Sequence, residues 1–244
     1  MDRRKATLRF VCAGLGLWMA MIGCGFLNTT SVNELRSEDQ SIEIGSASSA
    51  RIQIEFAAGQ LVVGGGGGSL MNATFRYNVN DWKPKVEYSV NGNQGELLVS
   101  QEGKDFKLPV GGKVINDWNI RLNEAAPIDL DIKTGAGESE LDLRTLDLTS
   151  LNVEVGAGST SLDLSGDWDH DLSASVTGGV GDLSIKLPAN MGVRVNLDRA
   201  IVSVTATGLK KDGDGYINQT YGTAPSTLTL ELTAGVGSIN LEVP

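Results

Sequence analysis

The sequence predicts an all-β fold built as a β-solenoid of stacked rungs. From residue 128 onward, apolar and polar residues alternate strictly, which indicates strands with one buried face. The segment TGAGESELDL at 134–143 returns as VGAGSTSLDL at 155–164, 21 residues later. A recurrence of about 20–25 residues in strand–turn–strand units is typical of a solenoid.

The outward side chains predict how neighbouring rungs align. Stacking places equivalent residues about 4.8 Å apart, so Asp142 should lie beside Asp163. In chain order, the same row continues with Lys186, a residue near Thr205 and then Glu242. An antiparallel sandwich or meander, with each Gly-x-Gly closing a hairpin, is the alternative fold. The constant phase of the repeats favours stacking.

Glycines mark the corner of each rung. Glycine reaches positive φ without strain, so it suits a bend that recurs at one phase of the repeat. A phosphate-binding loop would need a following helix and usually a lysine, and the segments after these corners predict neither. The unit at 193–204 lacks such glycines. The predicted structural corners are Gly135, Gly137, Gly156, Gly158, Gly179, Gly181, Gly235 and Gly237.

The N-terminal segment is typical of a lipoprotein signal peptide at residues 1–23. A short basic stretch precedes an apolar segment, 10–23, which is shorter than the roughly 20 residues of a membrane span. It ends in Met-Ile-Gly-Cys, which resembles a lipobox and predicts lipidation of Cys24. An uncleaved membrane anchor is the alternative. Both interpretations predict an extracytoplasmic protein attached to a bacterial membrane.

The remaining chain is divided by its patterning. Residues 24–41 are polar and unpatterned, and we interpret them as the lipidated cysteine and its tether. Residues 42–244 form the predicted solenoid, with a looser N-terminal part at 42–126 and regular repeats at 127–244. Within the looser part, 86–99 is interpreted as a rung and the glycine run 64–68 as a mobile loop between rungs.

Composition limits the function classes. The formal net charge is −10, which argues against binding to nucleic acid or anionic lipid. Aromatic residues make up 5% of the chain, few for sugar-stacking platforms, and the one histidine has no evident nucleophile. The sequence therefore predicts a non-enzymatic binding or scaffolding module without a cofactor. A polysaccharide-acting enzyme using paired carboxylates and a calcium-dependent adhesin are the alternatives.

Two loops carry the candidate contacts. The cluster Asp-Trp-Asp-His-Asp at 167–171 is predicted to be an exposed loop, with Trp168 and His170 as partner-binding residues and no bound metal. An insertion at about 210–226 begins like a calcium loop but lacks the third ligand and the final glutamate of an EF-hand. An envelope protein or a wall component is the expected partner.

The stretch 118–166 resembles the toast-rack domain of bacterial envelope proteins, including the extracytoplasmic part of LiaF-like antibiotic-response proteins. The resemblance rests on the Trp118-x-Ile-x-Leu entry, Pro127, both Gly-Ala-Gly corners and both Leu-Asp-Leu tails. It implies a stacked β architecture, no catalytic residues and an envelope role, including a part in the envelope-stress response. LiaF-like regulators carry several transmembrane helices, and this sequence shows no comparable set.

Overall fold

The computed structural model describes residues 29–101 and 108–244, and strands dominate both parts. The described strands form one mixed sheet, and the one short 3-10 helix among them is Asn80–Trp82. In chain order the strands are β1 (Thr29–Ile42), β2 (Ser49–Gly67), β3 (Met71–Val79), β4 (Pro84–Asn91), β5 (Gln94–Gln101), β6 (Leu108–Val110), β7 (Asn116–Asn123), β8 (Ile128–Asp142), β9 (Leu148–Asp163), β10 (Leu172–Lys186), β11 (Gly192–Thr207), β12 (Lys210–Asp212), β13 (Gly215–Ile217) and β14 (Thr227–Glu242).

Each regular repeat is one long strand that bends at its glycine corner. β8, β9 and β10 pair in parallel, one period apart, so Gly137 aligns with Gly158 and Gly158 with Gly181. Asp142 pairs with Asp163, as the repeat predicts. The solenoid fold is therefore confirmed, and the parallel ladders exclude the antiparallel alternative for these repeats.

The order of the last two rungs differs from the chain order. β14 lies between β10 and β11, so Lys186 pairs with Glu242, and Glu242 in turn pairs with Thr207. The expected row through Thr205 and then Glu242 is wrong in both order and register. β14 carries corner glycines and stacks on the corner of β10, whereas β11 has Ala200 and Val202 at these positions. Neither Ala200 nor Val202 has a positive φ, so β11 does not repeat the backbone conformation of Gly237 at this corner.

The inward side chains of both halves of each bent strand belong to one buried cluster. A single interior row of this cluster runs from rung to rung through apolar residues. In spatial order it contains Ile52, Leu130, Leu151, Ala174, Leu230 and Val195, all at most 4% exposed. Each rung alone would leave these side chains in water, so stacking supplies the burial that stabilises the fold.

The N-terminal part departs from the predicted loose rungs. β2 is a full rung, since it pairs in parallel with β8 along its length, and the first four glycines of the run 64–68 lie within it rather than in a loop. Residues 86–99 form the antiparallel hairpin β4–β5 instead of a rung. Residues 29–41, assigned to a tether, belong to β1, which pairs with β3. Most side chains of β1 are exposed, so the strand lacks the apolar alternation that would have revealed it.

Two hydroxyl side chains in register, Ser139 and Thr160, are buried in the interior, and that of Thr160 lacks a partner among the described residues. Thr160 of β9 is 4% exposed, and its Oγ1 has no hydrogen-bond partner among the described residues. Replacing Thr160 with the nearly isosteric valine should raise the free energy of unfolding by about 1 kcal/mol, because an unpaired buried hydroxyl is costly. Chemical denaturation measures this change. Thr177→Val, at an exposed position of β10, serves as the control, and a loss of stability in Thr160→Val would contradict the expectation.

Candidate functional site

The corner glycines lie in close backbone contact between rungs. At Gly158 φ is +128°, and an added Cβ would lie 1.9 Å from the carbonyl oxygen of Gly137 in the rung below. Gly156 keeps an ordinary φ, yet its Cβ would lie 2.3 Å from the carbonyl oxygen of Gly135. The other pairs, Gly179 with Gly181 and Gly235 with Gly237, have the same geometry. The corners therefore leave no room for a side chain.

The outward carboxylates of neighbouring rungs are compensated by cations. Arg144 Nε lies 2.8 Å from Asp142 Oδ1 and 3.6 Å from Asp163 Oδ2, so one guanidinium faces both acids. Lys186 Nζ lies 3.8 Å from Asp163 Oδ2. The hydrogen bond from Arg144 lowers the pKa of the Asp142 carboxyl. This ladder is a neutralised surface and not a vacant cation site.

The loop between β9 and β10 places Trp168 in the interior and not at the surface. The expected exposure of Trp168 is wrong: the residue is 6% exposed, and its Nε1 donates to the carbonyl oxygen of Leu164 at 3.0 Å. Its ring belongs to the same buried cluster as the strand residues. Leu146, 22 residues earlier in the preceding repeat, is buried in the same cluster.

His170 is half-exposed and held at both ring nitrogens. Nε2 lies 2.9 Å from the carbonyl oxygen of Leu148, and Nδ1 lies 3.0 Å from Asp169 Oδ1. A neutral imidazole donates only one hydrogen bond, whereas the protonated ring donates two. The Leu148 carbonyl, followed by the Asp169 carboxylate, therefore raises the pKa of His170 above 6.5.

This geometry predicts a pH-dependent contribution to stability. Because the folded-state pKa of His170 is raised, its stabilisation is fully present below about pH 6.5 and is lost as pH rises through the folded-state pKa. Thermal unfolding of the full chain and of His170→Gln should differ more at pH 5.5 than at pH 8.5. The extra difference should be at most about 1 kcal/mol, since the contacts are solvent-screened. An equal difference at both pH values would contradict the expectation.

The two candidate loops meet, which the sequence did not predict. Ser226 Oγ donates to the carbonyl oxygen of Trp168 at 3.1 Å, and the backbone N–H of Thr227 donates to Asp171 Oδ1 at 2.7 Å. Beside this contact, an open groove of about 570 Å³ runs across the loops after β8 and β9. Both signs of charge line it, including Arg144, Asp167 and Asp169. The arrangement suits polar contacts with a partner surface.

The insertion after β11 is stabilised by contacts of the Arg194 side chain rather than by ligands arranged around a metal ion. Its first part is the hairpin β12–β13, which pairs with the start of β11. Arg194 Nη2 lies 2.8 Å from Asp212 Oδ2, Arg194 Nε donates to the Tyr221 hydroxyl at 2.8 Å, and the guanidinium lies 4.7 Å from the Tyr221 ring centre. Within residues 29–101 and 108–244, no three His, Cys, Asp or Glu side chains are grouped as a metal site.

A row of exposed apolar side chains follows the outer edge of the corners. The middle residues of the bends align from rung to rung, with Val180, Val236 and Ile201 at 58%, 47% and 75% exposure. Alanine occupies the same position in β8 and β9. The sequence contains this signal in the central residue of each corner, which the predicted glycine corners do not include.

Two further observations concern membrane attachment. Among the residues that the structure describes, no helix is long and apolar enough to cross a membrane. The signal segment 1–23 and the predicted lipidation site Cys24 lie outside the described residues.

Comparisons with known proteins agree with this architecture. The family described as the N-terminal domain of toast_rack, DUF2154, matches residues 31–186. A proposed cell adhesion protein from Clostridium sporogenes is 30% identical; the match covers 86% of this chain and 100% of that one, with a TM-score of 0.81.

More distant structures include proposed adhesins from Bacteroides fragilis and Parabacteroides distasonis. They are 10% and 9% identical and cover 87% and 88% of this chain and 99% and 100% of their own, but their TM-scores of 0.26 and 0.29 carry no argument. No curated protein matches the chain. The family match spans more than half of the sequence, and the chain therefore belongs to the toast_rack N-terminal domain family.

Proposed function

We propose that this chain is a non-enzymatic adhesion module, anchored by lipid on the outer side of a bacterial membrane. The similarity to the Clostridium sporogenes protein carries this proposal, because that protein is matched over its whole length and bears a proposed cell adhesion role. A stack of parallel rungs also presents rows of outward polar groups on a stiff support. A part in the envelope-stress response, which the LiaF-like resemblance implies, belongs to the same proposal.

The groove across the loops is the proposed contact surface. Its acidic residues Asp167 and Asp169 are exposed, and the 167–171 loop that carries them is fixed by hydrogen bonds to Ser226 and Thr227. A fixed surface loses less conformational entropy on binding than a mobile loop does. Asp167 and Asp169 lie on its rim and offer carboxylates to a partner.

Cell adherence tests the proposal directly. Bacteria that produce the full chain should adhere to neighbouring cells or to a host-matrix surface several-fold more than cells without it. Replacing Asp167 and Asp169 with asparagine should reduce adherence, whereas Glu138→Gln with Glu140→Gln, on an exposed strand face, should not. Equal adherence with and without the chain would exclude adhesion as its function.

The lipid anchor needs a separate measurement. Cys24→Ala should move the chain from the membrane fraction to the soluble fraction, because the predicted acceptor of the lipid is removed. Retention of that variant in the membrane fraction would instead support the uncleaved anchor. The adherence assay and the fractionation can fail independently.

A further inference from the structure

His170 connects two loops beside the groove. Its Nε2 lies 2.9 Å from the carbonyl oxygen of Leu148, the first residue of β9, and its Nδ1 lies 3.0 Å from Asp169 Oδ1 in its own loop. The two acceptors differ in their freedom to move. Leu148 is 0% exposed and fixed in a strand, whereas the side chain of Asp169 is 100% exposed. Of the two, the Asp169 carboxylate is therefore the one that can turn away from the ring at little cost.

The charge of His170 decides whether both acceptors are bonded. The protonated ring has two N–H donors, and the neutral ring has one donor and one acceptor. A neutral ring without a proton on Nε2 would hold a lone pair against the Leu148 carbonyl oxygen, which is fixed in place. Asp147 Oδ1, 4.0 Å from Nε2, also favours a proton on that nitrogen. The neutral ring therefore keeps its bond to Leu148 and loses its bond to Asp169.

The loop around Asp169 is held on both sides of this residue. The carbonyl oxygen of Trp168 accepts from Ser226 Oγ, and Asp171 Oδ1 accepts from the backbone N–H of Thr227. A change in the bonding of the Asp169 carboxylate therefore moves that side chain and leaves the loop in place.

Asp167, the other carboxylate on the rim of the groove, is bonded independently of His170. Asp167 Oδ1 accepts from Asn190 Nδ2 at 2.7 Å, and an amide does not titrate near neutral pH. Asp169 is instead bonded to the one histidine of the chain. The rim therefore offers one carboxylate with a pH-dependent partner and a matched carboxylate without one.

The groove has an excess of negative charge, which favours a cationic partner. Asp147 and Asp169 face the His170 ring directly. Arg144 also lines the groove, but its guanidinium faces the outward acids of β8 and β9. The acidic residues along the groove are Glu124, Asp147, Asp167 and Asp169. A lysine-containing segment of a partner protein complements this charge.

We propose that His170 gates the binding of a cationic segment of the adhesion partner to Asp169. This inference rests on the proposed function and adds the charge of the partner and the regulation of the contact. The protonated ring occupies the Asp169 carboxylate and places a positive charge beside it, whereas the neutral ring releases it to an ammonium group. Because the bonds to Leu148 and Asp169 raise the pKa of His170 above 6.5, the contact is closed in acid and opens as pH rises through that pKa.

Binding of an acetylated tetralysine peptide to the full chain at pH 5.5 and 8.0 tests the gate by titration calorimetry. Lysine and aspartate keep their charges over this range, so His170 is the titrating side chain of the groove. We expect the peptide to bind about two- to five-fold more tightly at pH 8.0, the range that one exposed ion pair supplies. His170→Gln, which can still donate to the Leu148 carbonyl but carries no charge, should bind equally at both pH values.

Two substitutions on the rim separate the gate from the general charge of the groove. Asp169→Asn should remove the pH dependence, whereas Asp167→Asn should weaken binding at both pH values and keep their ratio. Equal affinities of the unsubstituted chain at the two pH values would overturn the proposal. A ratio that survives in His170→Gln, or a peptide that does not bind at either pH, would overturn it as well.

The position of the proton on the neutral ring is a second readout, and it needs no partner. Nitrogen-15 NMR of His170 at pH 9.0 should place this proton on Nε2. A proton on Nδ1 would keep Asp169 bonded and would contradict the gate. Neither measurement uses cells, so a lack of adherence with both results intact would exclude adhesion and leave the gate standing.

Discussion

A chain truncated after Ser226 is expected to lose two rungs rather than one. β14 lies between β10 and β11, and β11 is attached to the rest of the stack through β14. Without β14, residues 192–226 keep no neighbouring rung to pack against. In a solenoid stacked in chain order, the same truncation would remove only the terminal unit, because repeats depend on nearest neighbours.

Limited proteolysis measures this difference. Trypsin should cleave the truncated chain at Arg194 and Arg199 within minutes, while the full chain resists at Arg194, which is partly buried and bonded to Asp212. The resistant product should end near Lys186. The full chain under the same conditions is the control. Protection of Arg194 and Arg199 in the truncated chain would show that β11 is held without β14.

Gly158→Ala, in a central rung of the stack, should be strongly destabilising. The added Cβ would lie 1.9 Å from the Gly137 carbonyl oxygen, and φ of +128° is a conformation that side chains rarely adopt. Backbone strain of this kind costs about 1–3 kcal/mol, and displacement of the stacked rung adds to it. We expect the free energy of unfolding to fall by at least about 3 kcal/mol, as measured by chemical denaturation.

Gly68→Ala is the matched control for this substitution. Gly68 has an ordinary φ, and an added Cβ would meet no atom within 4 Å. Its stability should change little, because an exposed position without strain tolerates a methyl group. If Gly158→Ala unfolds at the same denaturant concentration as Gly68→Ala, the corner is looser than its geometry indicates.

The sequence predicted the regular part of the fold because its signal is periodic. Alternation at Leu151 and Val153 reports a buried face, and repetition one period apart reports stacking, so the pairing of Asp142 with Asp163 could be predicted. The spatial order of the last two rungs is harder to predict from the sequence. After β11 the chain forms the β12–β13 hairpin and a loop before β14 enters the stack between β10 and β11. Ala200 and Val202, which replace the corner glycines, mark β11 as different from the other repeats but do not give its position in the stack.

The candidate site was predictable only in part. The position of the 167–171 loop and of the insertion followed from gaps in the alternation. The burial of Trp168 did not, because a tryptophan among acidic residues has the same local pattern whether it faces the interior or the solvent. The contact of Ser226 with Trp168 joins residues that are far apart in the chain, and no local pattern encodes it.

The spatial order of the strands also determines how far β1 lies from β11. β1, where the described chain begins, and β11, the last of the long bent strands in the stack, lie eight strand positions apart in the sheet. At about 4.8 Å per position, that separation is roughly 40 Å before twist shortens it. Any attachment through the N-terminus would therefore hold β11 well away from the attachment point, and the number of intervening strands fixes how far it extends.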